Sequence, residues 1–331
     1  MTARTHARSL LPGLALLAGV AVVARTLGTR LAHLSPLIVA IAVGALVANT
    51  VGVPDWATPG VSRHKLLLET GIVLLGARLT VEELVTTGPL VVVLAAGAVV
   101  VGVLFTEAVA GRLLDVDGRT TSLLAAGASI CGVSAVVAVA GSIDVDETDI
   151  TYAVATILLF DAVTLVVFPI LGSVLGITGK QFGIWAGLSL FSTGPTAAVG
   201  FAMSETAGRW ATVTKLVRNS FIGLLAIAYA VRYTAGTGDS TGPTELWNRF
   251  PKFLLGFLAV IAIVNAVTLP TSTVAAIDVT GDWLFALAFA GLGFDLDLDS
   301  LGAAGMRPVA LVVAHLATVS TLSLVAVVTL L

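Results

Sequence analysis

Cysteine is almost absent from this chain. Cys131 is the single one among 331 residues, which excludes an intramolecular disulfide and a cysteine-based metal site. Charge is scarce too: 11% of residues are Asp, Glu, Lys or Arg, and the net charge of -3 is scattered. There is no basic stripe for nucleic acid and no acidic tail. The histidines His6, His33, His64 and His315 lie far apart and show no metal-ligand spacing. No G-x-x-x-x-G-K-[ST] loop occurs, so ATP is not the direct energy source, and no cofactor is implied. Asp295, Asp297 and Asp299 alternate, but without the glycine and terminal glutamate of a calcium loop they read as an interfacial stop signal. The N-terminal MTARTHAR enters an apolar run without a small-residue cleavage site and reads as a retained first span.

Apolar residues are what the chain has in excess: 57% are hydrophobic, and the mean hydropathy is +1.04. A spanning helix needs about 20 predominantly apolar residues. About eleven stretches approach that length: 9–27, 31–51, 65–80, 89–111, 121–142, 150–175, 182–203, 210–231, 252–269, 283–294 with its flanks, and 309–331. The expected fold is an all-α polytopic membrane protein with about 10–11 transmembrane helices in one domain spanning residues 1–331. Residues 233–249 form its polar loop, expected on the cytoplasmic side. With the N-terminus in the cytoplasm, eleven basic residues fall inside and four outside, and the acidic stretch 144–149 falls outside. The expected setting is the cell membrane, in contact with lipid. The tryptophans, mostly at span ends, suit interfacial anchoring.

Two self-matches point to internal repeats, the first of them inverted. Gly76-Ala77-Arg78-Leu79-Thr80-Val81-Glu82-Glu83-Leu84 matches Gly293-Phe294-Asp295-Leu296-Asp297-Leu298-Asp299-Ser300-Leu301, with the copies ending on opposite sides. Cys131-Gly132-Val133-Ser134-Ala135 matches Thr193-Gly194-Pro195-Thr196-Ala197, followed by Ser142 and Ser204 at equal distance. Glycine and small hydroxyls at mid-span break a helix, and such a break survives in hydrocarbon only where protein or a water-filled cavity covers it. Freed amides attract an anion and freed carbonyls a cation. Close helix packing of the small-xxx-small type is the competing reading. The basic-residue topology makes the two interrupted segments parallel, so either one is re-entrant or the span count is off by one.

Ionisable residues inside spans are costly, at least about 2.5–3.5 kcal/mol, and normally face a cavity or a partner. Lys215 and Arg218 share one helical face deep in a span. They read as anion ligands, or else as groups that snorkel to the interface. Asp161, near mid-span, reads as a coupling group for a proton or cation, or as a structural partner of Lys215 or Arg218. Glu69 is expected to pair with Arg63 or Lys65, and Glu107 with Arg112.

Several motifs carry a family resemblance: Gly71-Ile-Val-Leu-Leu-Gly76-Ala-Arg78-Leu-Thr80, Ser129-Ile-Cys131-Gly132-Val-Ser134-Ala135, Tyr152-Ala-Val-Ala-Thr156 and Ala211-Thr-Val-Thr-Lys215-Leu-Val-Arg218. From about residue 30 onward the chain resembles the YeiH family of proposed sulfate exporters. The resemblance implies membership of the cation-proton antiporter and bile-acid symporter superfamily, with a panel domain and a core of crossed broken helices. Where that family shows a histidine, an acidic residue and a glutamine, this chain has Phe191, Ser192 and Pro195. Where the family has a small residue, it has Asp161.

These readings converge on a secondary transporter that moves a small anion, sulfate or a related oxyanion, by alternating access. Ser129, Gly132, Ser134, Thr193, Gly194, Thr196, Lys215 and Arg218 are its expected binding residues, with Asp161 for coupling. A homo-oligomer is compatible with the sequence. A passive channel would show a sustained polar face or a repeated filter motif, and neither is apparent. An intramembrane aspartyl enzyme needs two carboxylates sharing a site, and only Asp161 is central.

Overall fold

The computed structural model describes residues 3–30, 35–114, 116–143, 145–234, 252–267, 269–296 and 305–331, whose regular structure is entirely helical. The loop at 235–251, with Asp144, Asp297 and Asp299, lies outside the described residues. The chain separates into two units, each assembled from distant segments: Met1–Thr86 with Lys252–Leu298, and Thr87–Pro251 with Asp299–Leu331. Six described helices are long and apolar enough to cross a membrane, and Pro36–Thr50 and Phe253–Ala266 are shorter apolar helices. The protein is an all-α polytopic membrane protein. Outward residues such as Val93, Leu104, Val166 and Ile170 are apolar and exposed, as lipid contact requires.

The first unit contains α1 (Ala3–Arg30), α2 (Pro36–Thr50), α3 (Thr58–Val61), α4 (His64–Leu75), the start of α5 (Val81–Val109), α13 (Phe253–Ala266) and α14 (Thr271–Phe294). Ser35 caps α2 by accepting from Leu37 N at 3.3 Å, and Pro36 supplies its first turn. Helices α2 and α14 touch backbone to backbone, because a Cβ on Gly44 would lie 2.3 Å from Ala290 O. Along α4 and α14, His64 faces Gly291, Gly71 faces Phe285, and Arg78 bonds Asp278 and Asp282, so the two helices are antiparallel. The matched segments beginning at Gly76 and Gly293 therefore end helices at opposite ends of this unit, as the inverted repeat requires. Between α4 and α5 the backbone is extended at Leu79, and Asn265 bridges the gap by donating to Leu79 O and accepting from Val81 N. Lys65 lies 3.7 Å from Asp295 rather than turning to Glu69.

The second unit carries the rest of α5, then α6 (Gly118–Ala126), α7 (Val133–Ala140), α8 (Glu147–Val174), α9 (Gly179–Ser189), α10 (Thr193–Met203), α11 (Glu205–Asn219), α12 (Ile222–Thr234) and α15 (Met306–Leu330). The two interrupted segments reverse direction. Thr120 at the start of α6 donates to Asp149 at the start of α8 at 2.6 Å, and Gly127 lies against Val136, so α6 and α7 form a hairpin whose ends share one side. Likewise Phe182 of α9 and Met203 of α10 both approach Gly172 near the end of α8. The hairpins thus enter from opposite ends of α8. Each interruption is re-entrant, where the resemblance led us to expect broken helices that cross.

This path corrects the expected sidedness. Tyr233 at the end of α12 donates to Gly118 O at 2.8 Å, while Thr120 holds Asp149. The chain around Asp149 and the start of the 233–249 loop therefore lie at the same end of the unit. Hydropathy counts each apolar hairpin as a crossing, and each miscount inverts the side assigned to the chain downstream. Glu107 also finds a different partner: its carboxylate takes Arg232 at 2.9 Å, Ser122 and Tyr229, and ties α5 to the first hairpin and α12.

Candidate functional site

The tips of the two hairpins meet at the middle of α8. At the first, a wide turn at Gly127–Cys131 closes through Gly132 N to Gly127 O at 2.9 Å, and Gly132 then adopts φ 66, ψ -136. That conformation favours glycine, and space demands it as well: a Cβ there would lie 2.0 Å from Ser192 Oγ at the second tip. The second tip turns through Leu190, Phe191 and Ser192, all of them extended or outside helix, before α10 starts at Thr193.

Four half-helix ends therefore converge, and their dipoles sort them into pairs. The carbonyl ends of α6 and α9 carry partial negative charge, and the amide ends of α7 and α10 partial positive charge. Lys215 and Arg218 of α11 serve the carbonyl ends. Lys215 Nζ donates to Ile130 O and to Leu190 O, both at 2.7 Å, one carbonyl from each hairpin. Arg218 donates from Nε to Ser129 O at 3.1 Å, from one amino group to Gly187 O and Leu190 O, and from the other to Ala128 O and Ser129 O. Five N–H groups find four carbonyl oxygens, Ser129 O accepting twice, so the guanidinium is fully used by backbone. Both side chains are wholly buried, and among the described residues neither forms an ion pair with a carboxylate. Neither snorkels.

Asp161, buried at mid-α8, accepts from Ser192 N at 3.1 Å through Oδ1, while its Oδ2 has no hydrogen-bond partner. Its direct contact is thus the second tip, not the basic pair. The amide ends of α7 and α10 have no side-chain cap. Ser134 in the first turn of α7 is exposed, and Ser192 and Thr193 are half-buried, so the chain offers hydroxyls and unpaired amides on an accessible surface there. Phe191 packs edge-on against Phe160 and His315, with centroids 6.3 and 6.0 Å apart, and closes the apolar side.

Most of the residues expected from sequence gather here, in different roles. Gly132 and Ser134 lie at the first tip, Thr193 and Gly194 at the second, and Asp161, Lys215 and Arg218 between them. Ser129 contributes its carbonyl to Arg218, while its side chain packs at Gly102 of α5. Thr196 is buried and donates to Ser192 O within its own helix at 2.7 Å. Asn219 joins the cluster without having been singled out, and Ser192, noted only as a departure from the family pattern, joins it too. Asn219 lies one turn after Lys215 on the same face of α11, a spacing that could have marked it, and donates to Thr193 Oγ1 at 2.9 Å. His64 pairs with Asp295 at 3.1 Å in the first unit, and among the described residues no group of three or more metal-ligating side chains forms. Trp185 and Trp210 are buried, with Trp185 donating to Ser320 O, so neither serves as an interfacial anchor.

Comparison with known proteins gives this architecture relatives. The family model described as Conserved hypothetical protein 698 matches residues 12–312. A UPF0324 membrane protein of Nitratidesulfovibrio vulgaris is 31% identical over 316 residues, covering 90% of this chain and 87% of the relative. One from Corynebacterium glutamicum is 30% identical over 320 residues, covering 95% and 90%. A longer UPF0324 protein of Nitratidesulfovibrio vulgaris is 30% identical over 234 residues, covering 69% of this chain and 40% of that protein. No solved structure matches. The family model takes in both hairpins and α11, two of these relatives share most of their length with the chain, and the chain belongs to the UPF0324, or YeiH, family of membrane proteins.

Proposed function

We propose that the protein is a secondary active transporter of the cell membrane that carries a small oxyanion, of the sulfate type, by alternating access. The observation that carries this reading is charge. Lys215 and Arg218 bring two cations to the hairpin tips, and among the described residues Asp161 is the one carboxylate beside them. The excess positive charge sits in low dielectric, where it favours an anion strongly. The anion would meet the uncapped starts of α7 and α10, with Ser134, Ser192 and Thr193 as hydroxyl donors. In this reading Lys215 and Arg218 act as field and scaffold, because backbone already occupies most of their donors. Asp161 answers to the driving ion, since its ionisation alters the net charge that the substrate meets.

Flux of radiolabelled sulfate and of other small oxyanions into sealed proteoliposomes tests the reading. We expect saturable flux that depends on an imposed ion gradient, and its loss when Ser134 and Thr193 are both replaced by valine. A non-saturating, ohmic anion current would replace the transporter with a channel. The absence of flux for every small oxyanion would remove the substrate class.

A further inference from the structure

The two hairpins match in sequence, yet their returning helices differ in exposure. Ser134, Val137 and Gly141 share one face of α7 by their spacing, and all three are exposed, Val137 by 56%. At the matching positions of α10 the surface is closed: Thr196 and Val199 are 0% exposed, and Met203 is half-buried. The open face starts among groups that hydrocarbon cannot serve. No side chain caps α7, so its first amides lack a partner in their own helix, and the Ser134 hydroxyl makes no hydrogen bond among the described residues. Water satisfies such groups at this depth, and lipid does not.

We infer that the face of α7 bearing Ser134, Val137 and Gly141 lines a water-filled access path, which leads from the hairpin tips to the end of the second unit that holds Gly118 and Ser142. The path is short, about two turns of helix from Ser134 to Gly141. The equivalent path along α10, toward Ser204, is shut. Ala197 and Ala198 are wholly buried there, and a Cβ on Gly200 would lie 2.8 Å from Ala211 Cβ and 2.9 Å from Gly208 Cα of α11. Matched halves in unequal states are what a one-sided opening requires. In inverted repeats the two halves exchange their exposures when the other side opens, so Thr196 and Val199 line the path of the opposite state. This exchange rests on the proposed transport; the path itself does not.

Charged thiol reagents test the path without transport, because they react with a hydrated cysteine, which can ionise, and not with one facing lipid. In a Cys131→Ser background, Ser134→Cys and Val137→Cys are treated with an impermeant methanethiosulfonate in sealed vesicles of either orientation. Thr196→Cys, Val199→Cys and the outward-facing Val166→Cys serve as comparisons. We expect the two α7 variants to react at least tenfold faster than Val166→Cys, and only from the face that labels Ser142→Cys. Thr196→Cys and Val199→Cys should not react from that face. Rates at Ser134→Cys and Val137→Cys as low as at Val166→Cys would put the α7 face in lipid and overturn the inference. Labelling of the α7 variants from the opposite face would overturn it as well, as would equal labelling of the α10 variants from the Ser142 face. Should the α10 variants not fold, the α7 variants against Val166→Cys decide alone. Protection of Ser134→Cys by sulfate is read separately and reports on the anion, so the transport reading can fail while the path stands.

Discussion

Replacing Gly132 by alanine tests the tip-to-tip contact on which the candidate site depends. Two costs add. At φ 66, ψ -136 an alanine is held in a sparsely populated conformation, worth about 1–3 kcal/mol. Its methyl would also lie 2.0 Å from Ser192 Oγ and 3.1 Å from Ser192 Cβ. Overpacking of this kind typically costs about 1–3 kcal/mol. The variant should lose about 2–6 kcal/mol in reversible SDS unfolding from mixed micelles. The two parts can be largely separated, because Ser192→Gly removes Oγ and Cβ, leaves only Cα at 3.2 Å, and keeps the backbone N–H that donates to Asp161. Gly132→Ala combined with Ser192→Gly should recover the steric part and retain a deficit of about 1–3 kcal/mol from the backbone. Strict additivity of the two substitutions would refute a direct contact between the tips. Full stability in Gly132→Ala alone would refute the strained turn as well.

The same geometry sets other expected outcomes. Arg218→Lys replaces five donors by three on one nitrogen and should cost about 2–5 kcal/mol in the same unfolding assay, since buried carbonyls left unpaired cost about 1–3 kcal/mol each; a neutral result would show the carbonyl clamp to be dispensable. In a Cys131→Ser background, single cysteines at Ser142 and Gly118 should be labelled from one face of the membrane and those at Thr178 and Ser204 from the other, and labelling of Ser142 and Gly118 from opposite faces would exclude the re-entrant first hairpin. Burial raises the Asp295 carboxyl, but the hydrogen bond and charge of His64, with the charge of Lys65, outweigh it and hold the carboxyl below its ordinary value. A depressed carboxylate contributes stability above its unfolded pKa and loses it as pH falls through the folded one. Acid unfolding of Asp295→Asn should therefore lack part of the wild-type slope below about pH 4, and identical acid profiles would remove this ion pair from the stability of α14.

The sequence disclosed where the helices break and which charges lie deep, because glycine next to small hydroxyls and Lys215 within a span are both unusual in hydrocarbon. It did not disclose the reversals. Hydropathy measures apolar length alone, and 121–142 is long enough to cross; yet Gly127 lies against Val136, so α7 returns toward the side from which α6 enters. The partners of Lys215 and Arg218 were hidden for another reason. Every residue has a carbonyl, so a side chain that binds backbone leaves no complementary letter elsewhere in the chain. Glu107 shows the bias of short-range reasoning, since Arg112 is near in sequence while Arg232 is near in space. The match between the two interrupted segments was legible because both copies must perform the same reversal, and Ser142 and Ser204 mark their equivalent exits, but basic-residue counting made the copies parallel.

The ammonium that joins the hairpins also imposes an order on biogenesis. Ile130 precedes Lys215 by 85 residues, and Ser129 precedes Arg218 by 89. At about 5–20 residues per second, the first hairpin emerges several seconds before its partner helix exists. Through that interval its tip carbonyls lack their final donors, so the hairpin must linger near water, the lipid headgroups or the insertion machinery. The second hairpin waits far less, because α11 comes directly after it. Two structurally matched halves therefore mature on different clocks, and a ribosome paused just before α11 would prolong the exposed state of the first hairpin alone.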